Sequence, residues 1–269
     1  MLIVKLLLVL SHTYKYSILL HHQSSKFVSL ISTTRAIVLS HFRYGDSSLI
    51  VNLYTESMGR QTVFINGVFS KKSPVRAALF QPLHMLEIDL HHRANRQMQR
   101  ISNIQMCYSF QTIPFDPVKS CIALFITEIL YKTLREEEAN SELFDFLLHT
   151  IQTLDLNDRG TANFHLVFLV HYSRYLGFYP NTGQASDNTW FDSRRGSFVL
   201  IPADSSPTSE YNHLLKEVFE MSFNHLDSLH VNHHQRNYLT NYLLEYYSTH
   251  VANFGKSKSF IVLQNLFQD

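Results

Sequence analysis

Cysteine is scarce in this 269-residue chain, which holds only Cys107 and Cys121. Two thiols exclude a disulfide framework and a four-cysteine zinc ribbon, and their scarcity fits a reducing compartment. Eight glycines and seven prolines exclude a collagenous or low-complexity chain. Charged residues make up only 17% of the chain and hydrophobic residues 45%. That balance excludes a disordered chain and allows a sizeable core. The constellations of common enzymes are also missing. No Gly-x-Ser-x-Gly elbow presents a nucleophile. Gly255-Lys256-Ser257 has the ending of a phosphate-binding loop, but His250 stands where its first glycine belongs and no apolar strand precedes it. Sixteen histidines include the adjacent pairs His21-His22, His91-His92 and His233-His234, whose side chains point apart. His230 and His234 have helical spacing but lack the glutamate and thiolates of a zinc site. Glu136-Glu137-Glu138 fan around a helix end rather than facing each other as acid and base. No catalytic residue, metal or cofactor is therefore expected.

The net charge of +1 conceals an asymmetry. Residues 1–34 carry +3, residues 35–107 carry +5, and residues 108–269 carry −7. Opposed segments suggest two units with different partners, the basic one suited to a polyanion. Leu2 to Leu10 resembles the apolar part of a signal peptide. However, Lys5 interrupts the run, no charge precedes it and no cleavage site follows. Residues 1–29 are read instead as an extension that is not part of the fold and is dispensable.

From Thr34 onward the pattern is that of strands. Ala36 to Leu39, Leu49 to Tyr54, Gln61 to Val68, Leu86 to Leu90 and Met98 to Met106 are β-rich. The clusters Tyr44-Gly45-Asp46-Ser47 and Glu56-Ser57-Met58-Gly59 form turns, residues 67–76 a basic loop and residues 91–95 a turn. Five short strands cannot easily leave two open edges in water, so an antiparallel barrel of the oligonucleotide-binding (OB) type is predicted over residues 30–110. After Pro114 and Pro117 the period becomes helical. Helices are predicted over 117–136, 142–154, 162–176, 209–221, 231–251 and 259–267, with Asp116 capping the first. Residues 181–207 read as a loop with a small hairpin. The fold class is therefore α+β, with a five-stranded barrel followed by a helical domain over 111–269.

The barrel's cations carry the strongest chemical signal. Arg43, Arg60, Lys71, Lys72, Arg76, Arg93, Arg96 and Arg100 fall mostly in loops or at strand ends. Phe42, Tyr44, Tyr54, Phe64 and Phe69 are interleaved with them. Cations for phosphate and rings for bases make up a single-strand groove. Aromatics in alternating strands also fill cores, so the arginines and lysines alone are taken as candidate contacts.

Several runs resemble the bacterial RecO family of recombination mediators. They are Ala36 to Leu39, Tyr44 to Val51, Tyr54 to Arg60, Lys71-Lys72-Ser73, Leu79 to Leu83, Ala123 to Tyr131, Ala162 to Leu169 and Tyr175 to Pro180. They occur in order from about residue 30 to 268, and the sections most like this chain suggest the Bacteroidetes branch. The resemblance implies an OB domain and a helical domain, and binding of single- and double-stranded DNA. It also implies annealing of complementary strands without ATP and a complex with RecR. With RecR, such a protein helps load RecA onto DNA coated by single-strand-binding protein, whose acidic, hydrophobic C-terminal tail docks on the helical domain. Lys132, Arg135 and Arg174 are the candidate cations for that tail. Some members carry a cysteine-rich zinc module after the Gly-x-x-Pro segment; Gly177 to Pro180 is followed here by no cysteine, so no zinc is expected. The resemblance implies a cytoplasmic, nucleoid-associated protein with no membrane partner. An RNA-binding OB module and a histidine-dependent metallohydrolase stand as alternatives.

Overall fold

A computed structural model describes residues 30–70, 77–93 and 95–266. The expectations for residues 1–29 and for Lys71, Lys72 and Arg76 lie outside the described residues. Five strands, β1 (Leu30–Tyr44), β2 (Ser48–Thr55), β3 (Gly59–Ile65), β4 (Met85–His92) and β5 (Arg100–Tyr108), form an antiparallel sheet in the order β3-β2-β1-β4-β5. The length of β1 makes this order possible. Its first half pairs with β4 (Ile31↔His91 to Ile37↔Met85) and its second half with β2 (Ala36↔Thr55 to Tyr44↔Ser48). A bulge between Val38 and Ser40 lets the strand bend between its two partners.

The sheet is of the OB type, but its closure is partial. Among the described residues one parallel bridge, Val63↔Gln99, joins the outer strands. The Gln99 N–H donates to the Thr62 carbonyl at 2.8 Å, and the Phe64 N–H donates to the Gln99 carbonyl at 3.0 Å. Two register slips between β4 and β5 and the left-handed Asn103 (φ 46°) interrupt the regular strand geometry that a continuous closing ladder needs. They also blunt the exposed edge of β5. The expected fifth strand therefore starts later, at Arg100 rather than Met98, because Gln99 is spent on the bridge.

Ala36-Ile37-Val38-Leu39 is apolar throughout because both faces of β1 are buried there. Ala36 and Val38 join Val51, Leu53, Val63, Leu86, Ile88 and Leu90 inside the barrel. Ile37 and Leu39 point the other way, with Tyr54 and Met85, into the core of the helical region. That region holds α1 (Pro117–Thr133), α2 (Ser141–Leu156), α3 (Phe164–Ser173), α4 (Ser209–Glu220), α5 (His233–His250) and α6 (Lys258–Leu266). The hairpin β6 (Trp190–Asp192) and β7 (Ser197–Val199) separates α3 from α4. Asp116 caps α1, accepting from the Val118 N–H at 2.8 Å and the Lys119 N–H at 3.2 Å. The helix ends at Thr133, short of the expected 136, because Leu134 turns extended. Helix α3 likewise ends at Ser173, and residues 174–177 form a turn. No helix among the described residues is long and apolar enough to cross a membrane.

Two junctions lock barrel to helices. At the first, the buried Asp155 carboxylate accepts from the Gln111, Thr112 and Ile113 N–H groups at 2.8–2.9 Å and from the Tyr108 hydroxyl at 2.9 Å. Burial opposes its ionisation, yet these donors hold its pKa below the ordinary aspartate value. At the second, Arg35 bridges Glu56 at 2.6 Å and Asp145 at 3.2 Å. Beside it the β2–β3 turn presses against the chain that leaves α1. Gly59 sits at φ +59°, and a Cβ there would lie 2.4 Å from the Glu138 carbonyl oxygen and 2.6 Å from that of Glu136. Gly59→Ala combines a strained backbone with a clash against two main-chain atoms. It is expected to lower stability by about 2–4 kcal/mol, read as a lower thermal midpoint with β-sheet circular dichroism retained at low temperature. An unchanged midpoint would show that the junction yields freely.

Candidate nucleic-acid interface

The outer face of β1, β2 and β3 is the face that Ile37 shares with Tyr54. The register orders it into four rows. The first holds Ile37, Tyr54 and Arg60 and is docked on the helices. Tyr54 is 2% exposed and stacks on Phe144 with centroids 6.2 Å apart. Arg60 donates to the Tyr131 carbonyl at 2.9 Å and the Leu134 carbonyl at 2.7 Å, and its guanidinium lies 4.6 Å from the Tyr131 ring centroid. These bonds satisfy carbonyls at the C-terminal end of α1, where a cation is favoured. Arg60 thus holds the domain junction, and its guanidinium is engaged there.

The second row is a polar ladder. Asn52 donates to the Ser40 hydroxyl and accepts from Thr62, both at 2.9 Å. The third holds Phe42, Ile50 and Phe64, and the fourth pairs Tyr44 with Ser48. These last rows are more open at their ends: Phe42 is 50% exposed and Tyr44 58%, while Ile50 between Phe42 and Phe64 is buried. Tyr44 sits edge-on to Phe64, with centroids 5.7 Å apart and an interplanar angle of 84°.

The β4–β5 loop lies beside this open end. Gln99 builds it. The side-chain Oε1 accepts from the Arg93 N–H at 2.8 Å, and Nε2 donates to the Arg93 and Arg96 carbonyls at 3.1 and 2.8 Å. With its main chain held by β3, Gln99 fixes the loop on both sides. The loop presents Arg93, Arg96 and Arg100, all exposed and with no acidic partner among the described residues. With His91, Met98, Gln99 and Ile101 they line a groove of about 320 Å³. A second groove of about 340 Å³ is lined by Arg96, Gln97, Met98, Gln99, Arg100 and Phe64. Arg43 stands at the β1–β2 turn, donating to the Gly45 and Asp46 carbonyls at 3.3 and 2.7 Å, with its guanidinium 4.8 Å from the Phe69 centroid. Those bonds brace the turn and leave the cation exposed.

In the helical region, Lys132 pairs with Glu128 at 3.0 Å, donates to the Lys256 carbonyl and lies 5.2 Å from the Phe254 centroid. Arg135 donates to the Ala252 carbonyl at 2.8 Å, and Arg174 covers the Tyr179 ring at 4.4 Å. A cavity of about 560 Å³ opens between α5 and α6, with Leu244, Phe260 and Ile261 among its apolar lining and Glu245 and Lys256 among its polar residues. Lys256 stands in the basic turn after the end of α5, exposed beside this cavity, and it is a surface cation that the sequence pattern does not single out as a contact. The same loop's link to Lys132 and Arg135 is a tertiary contact that no motif signals.

Two family models match the chain: Recombination protein O N terminal over residues 29–110 and Recombination protein O C terminal over residues 114–259. A DNA repair protein RecO from Phocaeicola vulgatus is 38% identical over 244 residues, covering 88% of this chain and 100% of the relative. One from Flavobacterium psychrophilum is 37% identical over 235 residues, covering 87% and 98%. One from Bacteroides fragilis is 36% identical over 242 residues, covering 88% and 100%. With both halves matched in order, and with an OB-type sheet followed by helices, the chain belongs to the Recombination protein O family.

Proposed function

We propose that this protein is a DNA repair and recombination mediator. It binds single- and double-stranded DNA, anneals complementary strands without ATP and, with RecR, helps load RecA onto DNA coated by single-strand-binding protein. The observation that carries this reading is the set Arg93, Arg96 and Arg100, exposed around grooves beside the partly exposed aromatic rings of the sheet face. Complementary strands repel through their phosphates. A basic surface that holds both releases counterions and raises their local concentration. Base pairing supplies the driving free energy, so the protein need only grip backbones and leave pairing edges free. No covalent step is required. Arg43 extends the cationic surface along the β1–β2 turn. Lys71, Lys72 and Arg76, which follow Phe69 in the chain, are included as phosphate contacts on sequence grounds.

The helical region carries the excess of acids, and its part is to receive the acidic tail of the coating protein. At physiological ionic strength the Debye length is about 8 Å, so a local cation outweighs the region's net charge. The α5–α6 cavity supports this reading, because Leu244, Phe260 and Ile261 offer an apolar seat beside Lys256. Lys132, Arg135 and Arg174 remain the other candidate contacts.

The test is annealing of complementary oligonucleotides, naked and coated with the cognate single-strand-binding protein, in the absence of ATP. The wild-type protein is expected to accelerate both reactions. Arg135→Glu, Arg174→Glu or Lys256→Glu is expected to slow the coated reaction several-fold and leave the naked one unchanged. Equal losses on naked and coated strands would remove the helical region from tail capture, and no acceleration of either would overturn the proposed function.

A further inference from the structure

We propose that Gln99 is a positioning residue for the phosphate grip: its side chain holds Arg93, Arg96 and Arg100 in one arrangement before any ligand arrives, so that affinity for a polyanion depends on a buried, neutral residue. The proposal rests on the nucleic-acid reading above and deepens it by separating the charge of that surface from its order.

Arg93 and Arg96 belong to the β4–β5 loop, and Arg100 opens β5. Their like charges repel one another, so a loop left to itself relaxes with the three apart. One side chain opposes that. Gln99 is only 5% exposed. Its Oε1 accepts from the Arg93 N–H at 2.8 Å, while Nε2 donates to the Arg93 and Arg96 carbonyls at 3.1 and 2.8 Å. The Arg96 N–H also donates to the Arg93 carbonyl, at 3.0 Å. The site needs an acceptor and a two-hydrogen donor on one uncharged group. An amide supplies both; a glutamate lacks the donor and a lysine the acceptor. The same residue is riveted to the sheet. Its N–H donates to the Thr62 carbonyl and its carbonyl accepts from the Phe64 N–H. The Thr62 hydroxyl donates in turn to Asn52, which donates to Ser40. The loop is thereby registered against β1, β2 and β3, and the contact that closes the barrel also aims the arginines.

Order and charge leave different marks on binding. A ligand that meets a loose loop must order it, and that cost is subtracted from affinity. Gln99 removes the cost by ordering the loop during folding. Counterion release depends instead on how many phosphates are neutralised in the complex, whatever the loop did beforehand. Loss of the Gln99 side-chain bonds therefore lowers affinity and keeps the salt slope, whereas loss of the arginines lowers both.

Gln99→Met tests the role, because it keeps the length of the side chain and the main-chain bridge while removing the three side-chain bonds. It is expected to weaken binding of a short oligothymidylate and of a duplex of equal length alike, by roughly 5- to 30-fold at fixed salt, the order set by having to order a loop on binding. The slope of log affinity against log salt should stay at the wild-type value. Added to the combined Arg93→Ala, Arg96→Ala and Arg100→Ala variant, Gln99→Met should cost less than about twofold, since no cation is left to position. A direct contact between Gln99 and the ligand would cost the same in both backgrounds and would overturn the positioning role. An unchanged affinity or a flattened slope in the single variant would overturn it too. In the wild-type chain without DNA, the Arg93 amide should exchange with deuterium as slowly as that of Phe64, a readout that does not depend on the variant folding. Exchange at the rate of a free, solvated amide would show that the loop is not held. If the combined arginine variant itself binds both ligands like the wild type, the nucleic-acid reading of the loop fails and the positioning role fails with it; if that variant is weakened and Gln99→Met is not, the positioning role alone is lost.

Discussion

Replacing Arg93, Arg96 and Arg100 together with alanine is expected to reduce affinity for single- and double-stranded DNA by roughly 10- to 100-fold near physiological salt, regardless of sequence. The reasoning is electrostatic. These three side chains project from one loop with no acidic partner among the described residues, so their charge is available to a ligand. Each phosphate contact contributes about 0.7–0.9 to the slope of log affinity against log salt. Loss of three contacts should flatten that slope by about two to three units, and filter-binding or anisotropy titrations between 50 and 300 mM salt would read it directly. Stability should hardly change, since exposed arginines without partners contribute little to the fold. A slope that stays at the wild-type value would place DNA on another surface.

Arg60 provides the contrast. Arg60→Ala removes the cation that satisfies two carbonyls at the end of α1. Its expected signature is lost stability with an unaltered salt slope, the reverse of the loop arginines. The two cases cannot be told apart in the sequence, where both are arginines near a strand end. What separates them is which part of the sheet the helices cover, and that is decided by residues more than 70 positions away.

The same limit governs the aromatics. The alternation of β2 and β3 is written in the chain, and so are the turn glycines, the Asp116 cap and the change to helical period. These are local signals that act within a few residues. Tyr54 and Phe64 nonetheless look alike locally, each an aromatic in an alternating strand. They lie on the same face, yet Tyr54 is sealed against Phe144 while Phe64 borders an open groove. The Asp155 junction was invisible for a related reason. An aspartate near a helix end reads as a solvated charge, and only the tertiary return of residues 108–113 supplies the donors that make burial tolerable. Barrel closure was only partly legible, because the bridge at Gln99 depends on a loop folded by that residue's own side chain.

Glu128→Gln is expected to destabilise the protein by about 3 kcal/mol at neutral pH, and the loss should fade in acid. Glu128 stands on α1 but serves α6. Its carboxylate accepts from the Lys258 and Ser259 N–H groups at 3.0 and 2.7 Å and from the hydroxyls of Ser257 and Ser259, and it pairs with Lys132 at 3.0 Å. It therefore acts as an N-terminal cap supplied by another helix, at the end where the macrodipole favours a negative charge. Burial alone would raise its pKa, but these donors prevail and bring it down to about 2. A folded-state pKa below the unfolded value of 4.5 means that ionised Glu128 stabilises the fold fully above about pH 4.5. That contribution is lost as pH falls from there towards 2, and its size follows from about 1.4 kcal/mol per pKa unit. The difference in unfolding free energy between wild type and variant, measured in urea at stepped pH, should be near its maximum at pH 6–7 and shrink steadily below pH 4.5. A difference that stays constant down to pH 3 would show that shape, not charge, holds α6. Because α6 forms one wall of the cavity lined by Phe260 and Ile261, the variant should also slow annealing of coated strands more than of naked ones. Loss of both in equal measure would instead mean that the whole helical region had come apart.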